Sequence, residues 1–372
     1  MSKKKIRVSL IIGTRPEAIK LAPLILTLKK AKDFETRVIL SGQHSFLVEQ
    51  VMDLFKFKED IDLNIMKPNQ NLTFITSEVL NGLEKEFNSF RPDLVIVQGD
   101  TTTAFAAALA SFYQKIPVAH VEAGLRTSSI FDPYPEEANR KLISQIAQLH
   151  FAPTELAAEN CRLSNVIGKV FVTGNTVIDA LITVGSKNHD IKFDNINWST
   201  DKVILTTIHR RENWGEKLKC IIEGLKIIAD KYRNIKFILP MHKNPVVREP
   251  LKELLGNNKN FILKEPFSYS TLVSVLKNCY LVLTDSGGIQ EEAPTFGKPV
   301  LILRETTERP EAVNAGTAKL IGTNPNFILD NVSLLLDNKE EYNKMSKTKN
   351  PFGDGTACIK IIDAIREFFG EL

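Results

Sequence analysis

Between Leu281 and Leu303 the chain reads Leu-Val-Leu-Thr-Asp-Ser-Gly-Gly-Ile-Gln-Glu-Glu-Ala-Pro-Thr-Phe-Gly-Lys-Pro-Val-Leu-Ile-Leu. An apolar strand, a two-glycine turn, a short helix, a glycine stop and a second buried strand follow one another. Ser286, Gly287 and Gly288 then stand at a helix N-terminus. There, unpaired backbone N–H groups and the positive end of the helix dipole face whatever lies above the sheet. Glycine lets an anion approach the backbone, so this turn is a candidate diphosphate site that needs no metal. Glu292, a turn into the helix, can accept hydrogen bonds from a ribose. A tight strand-to-helix turn accounts for the glycines but not for the Ser-Gly-Gly/Glu combination.

The same alternation runs along the chain and predicts α/β architecture, with parallel sheets covered on both faces. Strands are expected at Ile6–Ile12, Thr36–Ser41, Leu94–Gln98, Pro117–Val121, His150–Ala152 and Val170–Thr173. A second set is expected at Val203–Ile208, Lys236–Pro240, Phe261–Lys264, Leu281–Thr284, Val300–Leu303 and Lys319–Ile321. The polar stretch Ser186–Asp201 between the sets reads as surface loop. With 372 residues the chain is too long for one ordinary core. Two doubly wound domains facing a central cleft are expected, residues 1–172 and 173–356, with a last helix over about 357–372 returning to the first.

Net charge is +4 with the basic residues dispersed, so no nucleic-acid partner is implied. The four cysteines are far apart and form no CxxC pair, which fits reduced thiols in a cytoplasmic protein. Lys3-Lys4-Lys5 imitates a signal peptide, but Arg7 and Thr14-Arg15-Pro16-Glu17 interrupt the apolar run too early. No window approaches the ~18 apolar residues of a membrane span, so no membrane partner is expected.

In open α/β sheets the working crevice lies beyond the carboxyl ends of the strands. Gly13-Thr-Arg15-Pro-Glu-Ala-Ile-Lys20 follows the first strand, with Pro16 placed to start a helix. Arg15 and Lys20 near that helix N-terminus oppose its dipole, an objection that an anionic ligand removes. Asp100 ends another strand and is suited to be the N-cap of the helix that follows. Glu122 directly follows an apolar strand, where partial burial favours a base near neutral pH. Pro135 fixes a helix start before Glu136, which stands at i,i+4 to Arg140 and suits a surface salt bridge. Leu142, Ile143, Ile146 and Leu149 are the expected buried stripe of that helix. Three carboxylates at crevice positions in one domain point to acid/base chemistry.

In the second half, His209 with Arg210 and Arg211 follows the first strand, His242 the next, and Arg309 comes just past a later one. GxGxxG after the first strand, GxxxxGK[ST], HExxH and Cys/His clusters are all absent from the sequence, which argues against dinucleotide, P-loop and metal readings. Asp60-Ile-Asp62 matches a DxD metal–nucleotide-sugar pattern but lies in a charged run between lysines and reads as chance.

Gly13-Thr-Arg-Pro-Glu-Ala-Ile-Lys20, Gln98-Gly-Asp100, His120-Val-Glu-Ala-Gly-Leu-Arg126, Pro135-Glu-Glu-Ala-Asn-Arg140, His209-Arg-Arg-Glu-Asn213 and Asp285-Ser-Gly-Gly-Ile-Gln-Glu-Glu292 together resemble the non-hydrolysing UDP-N-acetylglucosamine 2-epimerases of bacteria and archaea. The motifs run in order over nearly the whole chain. The resemblance implies a GT-B-like pair of Rossmann-type domains, usually a homodimer, working without metal or nicotinamide cofactor. It implies interconversion of UDP-N-acetylglucosamine and UDP-N-acetylmannosamine for polysaccharide precursors, by elimination of UDP and re-addition through 2-acetamidoglucal. Asp100, Glu122 and Glu136 are then acid/base and cation-stabilising carboxylates, with His209 near the phosphates. Arg15, Lys20, Arg140, Ser286, Gly287, Gly288, Glu292 and Arg309 are implied substrate contacts, with the uracil pocket at Glu265–Leu272, including Phe267 and Leu272. Some members bind a second UDP-N-acetylglucosamine as an activator. Gln43, Gln70, Arg210 and His242 resemble that site, with Asn69 where arginine is often found.

Rival readings are an epimerase of UDP-diacetamido-uronic acids, a hydrolysing epimerase, a GT-B glycosyltransferase and a non-catalytic nucleotide-sugar sensor. A transferase needs an acceptor pocket in place of the carboxylate trio, and a sensor catalyses no exchange at C2.

Overall fold

The computed structural model describes residues 4–42, 45–67, 70–187, 193 and 195–370. Among them the chain alternates strand and helix almost without exception. The first part runs β1 (Ile6–Ile12), α1 (Arg15–Lys30), β2 (Phe34–Leu40), α2 (Ser45–Phe55), β3 (Ile61–Asp62), α3 (Leu72–Ser89) and β4 (Leu94–Gln98). It continues with α4 (Thr102–Tyr113), β5 (Val118–Val121), α5 (Glu136–Ile146), β6 (Leu149–Ala152), α6 (Glu155–Leu163), β7 (Lys169–Val172) and α7 (Thr176–Gly185). Then come β8 (Lys202–Thr207), α8 (Glu216–Lys231), β9 (Ile235–Pro240), α9 (Pro245–Leu255), β10 (Phe261–Lys264) and α10 (Tyr269–Asn278). The chain closes with β11 (Leu281–Thr284), α11 (Gly287–Glu292), β12 (Val300–Ile302), α12 (Pro310–Ala315), β13 (Ala318–Leu320), α13 (Pro325–Asp337), α14 (Lys339–Ser346) and α15 (Ala357–Gly370).

All strand pairings in the two sheets are parallel. Their orders are β3-β2-β1-β4-β5-β6-β7 and β10-β9-β8-β11-β12-β13. In each sheet the order reverses beside the first strand, between β1 and β4 and between β8 and β11. Those switch points open a crevice at the carboxyl ends, which is where the polar motifs fall.

Two compact units result, Met1–Ala180 with Phe352–Leu372, and Leu181–Pro351. The crossing points fall eight residues after, and five before, the boundaries read from the sequence. The reason is local: Asp179 of α7 accepts from the backbone N–H groups of Ala357 and Cys358, tying the start of α7 and the start of α15 into the first unit. The expected last helix is α15.

Each sheet is covered on both faces. In the first unit Val95 and Val97 pack with Ile75, Val79, Leu83 and Phe87 of α3 and with the alanines of α4. Those alanines let α4 lie close to its neighbours. In the second unit Ile204, Leu281, Leu283 and Leu301 meet the apolar stripe of α8 and Ile328 and Val332 of α13. A fully buried aliphatic side chain of this kind contributes about 1.5–3 kcal/mol.

The expected strands are present, most with ends displaced by one or two residues; the sequence reading passed over β3, which is only two residues long. The carboxylates of Asp60, just before it, and Asp62, at its end, accept from the backbone N–H groups of Val38 and Asn64. Of the expected α5 stripe, Ile143 is fully buried but Leu142 is 48% exposed. No helix among the described residues is long and apolar enough to cross a membrane.

Candidate active site

One strand beyond the switch point of the first sheet, β5 runs straight into Glu122. This residue adopts φ +65°, a left-handed conformation that a non-glycine residue rarely takes. Such a backbone costs on the order of 1–3 kcal/mol and persists only where its surroundings hold it. Here they do. Lys20 Nζ from α1 lies 2.7 and 2.6 Å from the two carboxylate oxygens. Gln98, the last residue of β4, donates to Oε2, and Asn175 Nδ2 donates to Oε1 at 3.1 Å. The carboxylate is largely shut off from solvent.

Asp100 stands on the adjoining turn but is not the N-cap; Thr101 caps α4 through its hydroxyl. The Asp100 carboxylate instead receives the Arg140 fork, with Nη2 at 2.7 Å and Nε at 2.8 Å, both on Oδ2. Asn139 Nδ2 donates to the Asp100 carbonyl at 2.8 Å, so α5 fixes this turn by both side chain and backbone. The expected Glu136–Arg140 surface pair does not form, because Arg140 turns to Asp100 and to the fully buried Glu137, 3.2 Å away. Glu136, released from that pair, has an oxygen shielded from solvent that finds no hydrogen-bond partner among the described residues. Such an oxygen suits a group that waits for a ligand.

Two further buried groups shape these turns. His120 Nε2 donates to the Gly99 carbonyl at 2.7 Å, while burial pushes its pKa down to about 4 and keeps it neutral. His150 pairs with it in register on β6 and is pushed down to about 3, again mainly by burial. Glu17 of α1 accepts at Oε2 from Gly13 N, Thr14 N and Thr14 Oγ1 at 3.1, 2.6 and 2.7 Å. Its Oε1 accepts from Thr101 Oγ1 at 2.7 Å. Glu17 thus joins the turn bearing Arg15 and Lys20 to the turn bearing Asp100. Burial lifts its carboxyl to about 7 against those hydrogen bonds.

The second unit carries a different chemistry at its switch point. Asp285, fully buried at the end of β11, accepts from His209 N and Arg210 N at 2.9 Å each and from Asn213 Nδ2 at 3.1 Å. Its other oxygen meets His209 Nδ1 at 2.9 Å. A carboxylate only accepts, so Nδ1 carries the proton of that bond. Burial alone would raise the Asp285 carboxyl. The His209 hydrogen bond and charge, with the two backbone N–H groups, outweigh it and hold the group below the ordinary range.

His209, His242, Phe267, Leu272, Ser286 and Ile289 line one cavity of about 190 Å³. Phe267 and Leu272, expected around a uracil, thus share a cavity with His209 and Ser286, expected near a diphosphate, and with His242, expected at a second site. Ser286 caps α11 by position but not through its hydroxyl. A Cβ on Gly288 would meet nothing within 4 Å, and one on Gly287 only Arg210 Nη2 at 3.5 Å. Neither glycine has a positive φ. Packing and backbone conformation thus leave both glycines unexplained, and the open space leaves the backbone there accessible. Glu292 is the last residue of α11 and is mostly buried. Arg309 pairs with Glu291 of α11. Arg210 lies 3.5 Å from Glu308, which also holds the buried Arg304. Burial works against the Glu308 carboxylate, yet Arg304 and Arg210 bring it down to about 2.

Arg15 begins α1, half-buried. Gln70 precedes α3 in the first unit, and its side-chain oxygen accepts from Lys67 N at 3.3 Å. Gln43 and Asn69 lie outside the described residues. The sequence reading quoted Glu17, Gln98, His120 and Asp285 within its motifs but gave them no role, and passed over Asn175. For Gln98 and Asp285 a signal existed, since each is a polar residue ending an apolar run. Glu17 had one in the Thr14-x-x-Glu capping-box spacing, which the structure forms.

Comparison with known proteins gives one answer. The family model for UDP-N-acetylglucosamine 2-epimerase matches residues 26–366. The UDP-N-acetylglucosamine 2-epimerase of Escherichia coli K12 is 47% identical, over 97% of this chain and 98% of its own. The crystal structure of the Neisseria meningitidis UDP-GlcNAc 2-epimerase, bound to UDP-GlcNAc, superposes with a TM-score of 0.87 at 47% identity, covering 97% of this chain and 100% of that one. Sucrose-phosphate synthase from Thermosynechococcus elongatus, at 11% identity and a TM-score of 0.65, shares the fold, a GT-B pair of doubly wound sheets.

Proposed function

The chain belongs to the UDP-N-acetylglucosamine 2-epimerase family, and from that premise we propose that it inverts C2 of UDP-N-acetylglucosamine reversibly, giving UDP-N-acetylmannosamine. C2 has no adjacent carbonyl, so its proton is not acidic in the ground state. Stretching the C1–O bond to UDP builds oxocarbenium character and makes that proton removable. Elimination gives 2-acetamidoglucal and UDP; re-addition with protonation on the other face completes the inversion.

The chain has the groups this sequence needs. Glu122 takes the C2 proton from one face, held in place by Lys20, Gln98 and Asn175. Asp100, fixed by Arg140, and Glu136, with its unpartnered oxygen, stabilise positive charge at C1 and hand over the second proton. The uracil enters the cavity of Phe267 and Leu272, and the diphosphate meets His209 and the Ser286–Gly288 turn. Arg15, Lys20 and Arg309 balance the charge of the departing diphosphate, and Glu292 receives the ribose. The observation that carries this reading is the Glu122 carboxylate, buried, backbone-strained and held by three donors beside the switch point of the first sheet.

A cytoplasmic homodimer supplying polysaccharide precursors belongs to the same proposal; the free cysteines Cys161, Cys220, Cys279 and Cys358 fit a reducing compartment. So does a second UDP-N-acetylglucosamine acting as activator, with Gln43, Gln70, Arg210 and His242 at its site. The test is proton NMR of UDP-N-acetylglucosamine in D2O with wild type and Glu122→Gln. Wild type should exchange the C2 proton and form the epimer. The variant should lose at least about 10³-fold in rate while still binding UDP. Exchange at an undiminished rate in the variant removes Glu122 from the proton-transfer role.

A further inference from the structure

The chain leaves the first unit between Ala180 and Leu181 and returns between Pro351 and Phe352. Asn175 sits beside both passages. Its backbone N–H donates to the Phe352 carbonyl at 2.7 Å, on the first residue after the return. The neighbouring Gly174 and Gly353, at φ +87° and +130°, press together: a Cβ on Gly174 would lie 3.3 Å from Gly353 Cα. Asp179, one turn further along, closes the start of α15 through Ala357 N and Cys358 N at 3.3 and 2.9 Å. The side chain of Asn175 is itself fixed. Its Oδ1 accepts from Val177 N at 3.1 Å, which leaves Nδ2 pointing at Glu122 Oε1, also at 3.1 Å.

The Lys20 ammonium cannot do the work of this amide. It lies nearly equidistant from both oxygens of Glu122, at 2.7 and 2.6 Å, and so does not select a torsion for the carboxylate plane. Gln98 on Oε2 and Asn175 on Oε1 take one oxygen each and do select it. We propose that Asn175 is a positioning residue for Glu122, setting the orientation of that carboxylate from the junction through which the chain returns to the first unit. The proposal rests on the reading of Glu122 as the proton-transferring group. The charged and titratable groups around the pair are Lys20 from α1, His120 from β5 and Asp179 from α7, with the Cys358 thiol of α15 hydrogen-bonded to Asp179.

The test compares Asn175→Asp and Asn175→Ala in the full chain, with Glu122→Gln alongside. Epimerisation is followed from pH 5.5 to 9.5 and thermal midpoints are recorded. Asn175→Asp sets a second carboxylate at hydrogen-bond distance from Oε1. Repulsion should move the acid limb of the kcat profile up by about one pH unit or more. Asn175→Ala should leave the limb in place and lower kcat roughly 10- to 100-fold, with KM within about threefold, as a misaligned base does. An unmoved limb in the Asp variant together with a kcat within twofold of wild type in the Ala variant overturns the proposal. So does a loss of activity that appears in both variants only with a matching fall in thermal midpoint. An active Glu122→Gln brings down the base assignment and the proposal with it; an inactive one beside normal Asn175 variants brings down the positioning role alone.

Discussion

Glu17→Gln isolates the buried acid that joins the two turns of the first switch point. Glu17 is 1% exposed, and burial lifts its carboxyl from 4.5 to about 7 although Thr101, Thr14 and Gly13 all donate to it. The folded state therefore holds the proton more tightly than the unfolded chain does. The stability this contributes is complete below about pH 4.5 and is lost as the pH rises through about 7. At 1.36 kcal/mol per unit, the gap of about 2.5 units amounts to roughly 3 kcal/mol, of which about 2.5 kcal/mol falls between pH 5 and pH 8. Gln keeps the shape, offers an oxygen to Gly13 and Thr14 and an N–H to Thr101, and does not titrate. Relative to wild type it should gain that amount between pH 5 and pH 8, whatever constant difference separates the two proteins. For a unit of roughly 200 residues, each kcal/mol moves the midpoint by about 2–4 °C. The gap between the two melting curves should thus widen by about 5–10 °C across that range in thermal scans. Curves that stay parallel with pH would refute the reasoning, because they would mean that Glu17 titrates alike in both states.

Asp285→Asn puts an amide where three N–H groups and His209 Nδ1 now point, so His209 loses its fixed orientation. Turnover should fall on the order of 10²-fold, and a variant with unchanged kcat in the epimerase assay would show that the pairing is idle. Gly288→Ala meets no neighbour within 4 Å, so its thermal midpoint should hold or rise slightly, alanine being the better helix former by about 1 kcal/mol. Calorimetry should nevertheless show UDP binding weakened about tenfold or more; full affinity would remove that turn from the diphosphate site. Gly124→Ala is the opposite case, with φ +90° and a Cβ only 1.9 Å from the Ala157 carbonyl oxygen. It should destabilise by more than about 2 kcal/mol in urea unfolding, and a neutral result would mean that the α6 backbone yields freely.

The strands were legible because buried parallel strands are continuous apolar runs, and the turns after them because their polar residues break those runs abruptly. Glu122 was found in that way. Its partners were not, since Lys20 is 102 residues away and Asn175 is 53, and no local pattern encodes such a meeting. Local rules also misassigned Asp100: it and Thr101 both suit an N-cap, and the choice was made by Arg140, 40 residues on. The same arginine explains why the i,i+4 rule named Glu136 when the helix pair is with Glu137. Glu17 shows the limit from the other side. The capping box was readable from spacing, but the burial that turns a cap into a proton-binding group comes from the packing of α1 against β1, β2 and β4, which only the fold supplies.

The acid cluster around Glu122 gathers on one sheet and the cavity lined by His209 and Phe267 on the other, each built from the residues of its own unit. Inheritance can then act on the two separately. A lineage that keeps the second sheet and its cavity can exchange the acids of the first for other groups. Sucrose-phosphate synthase shares the fold at 11% identity, so this framework survives replacement of nearly all its side chains.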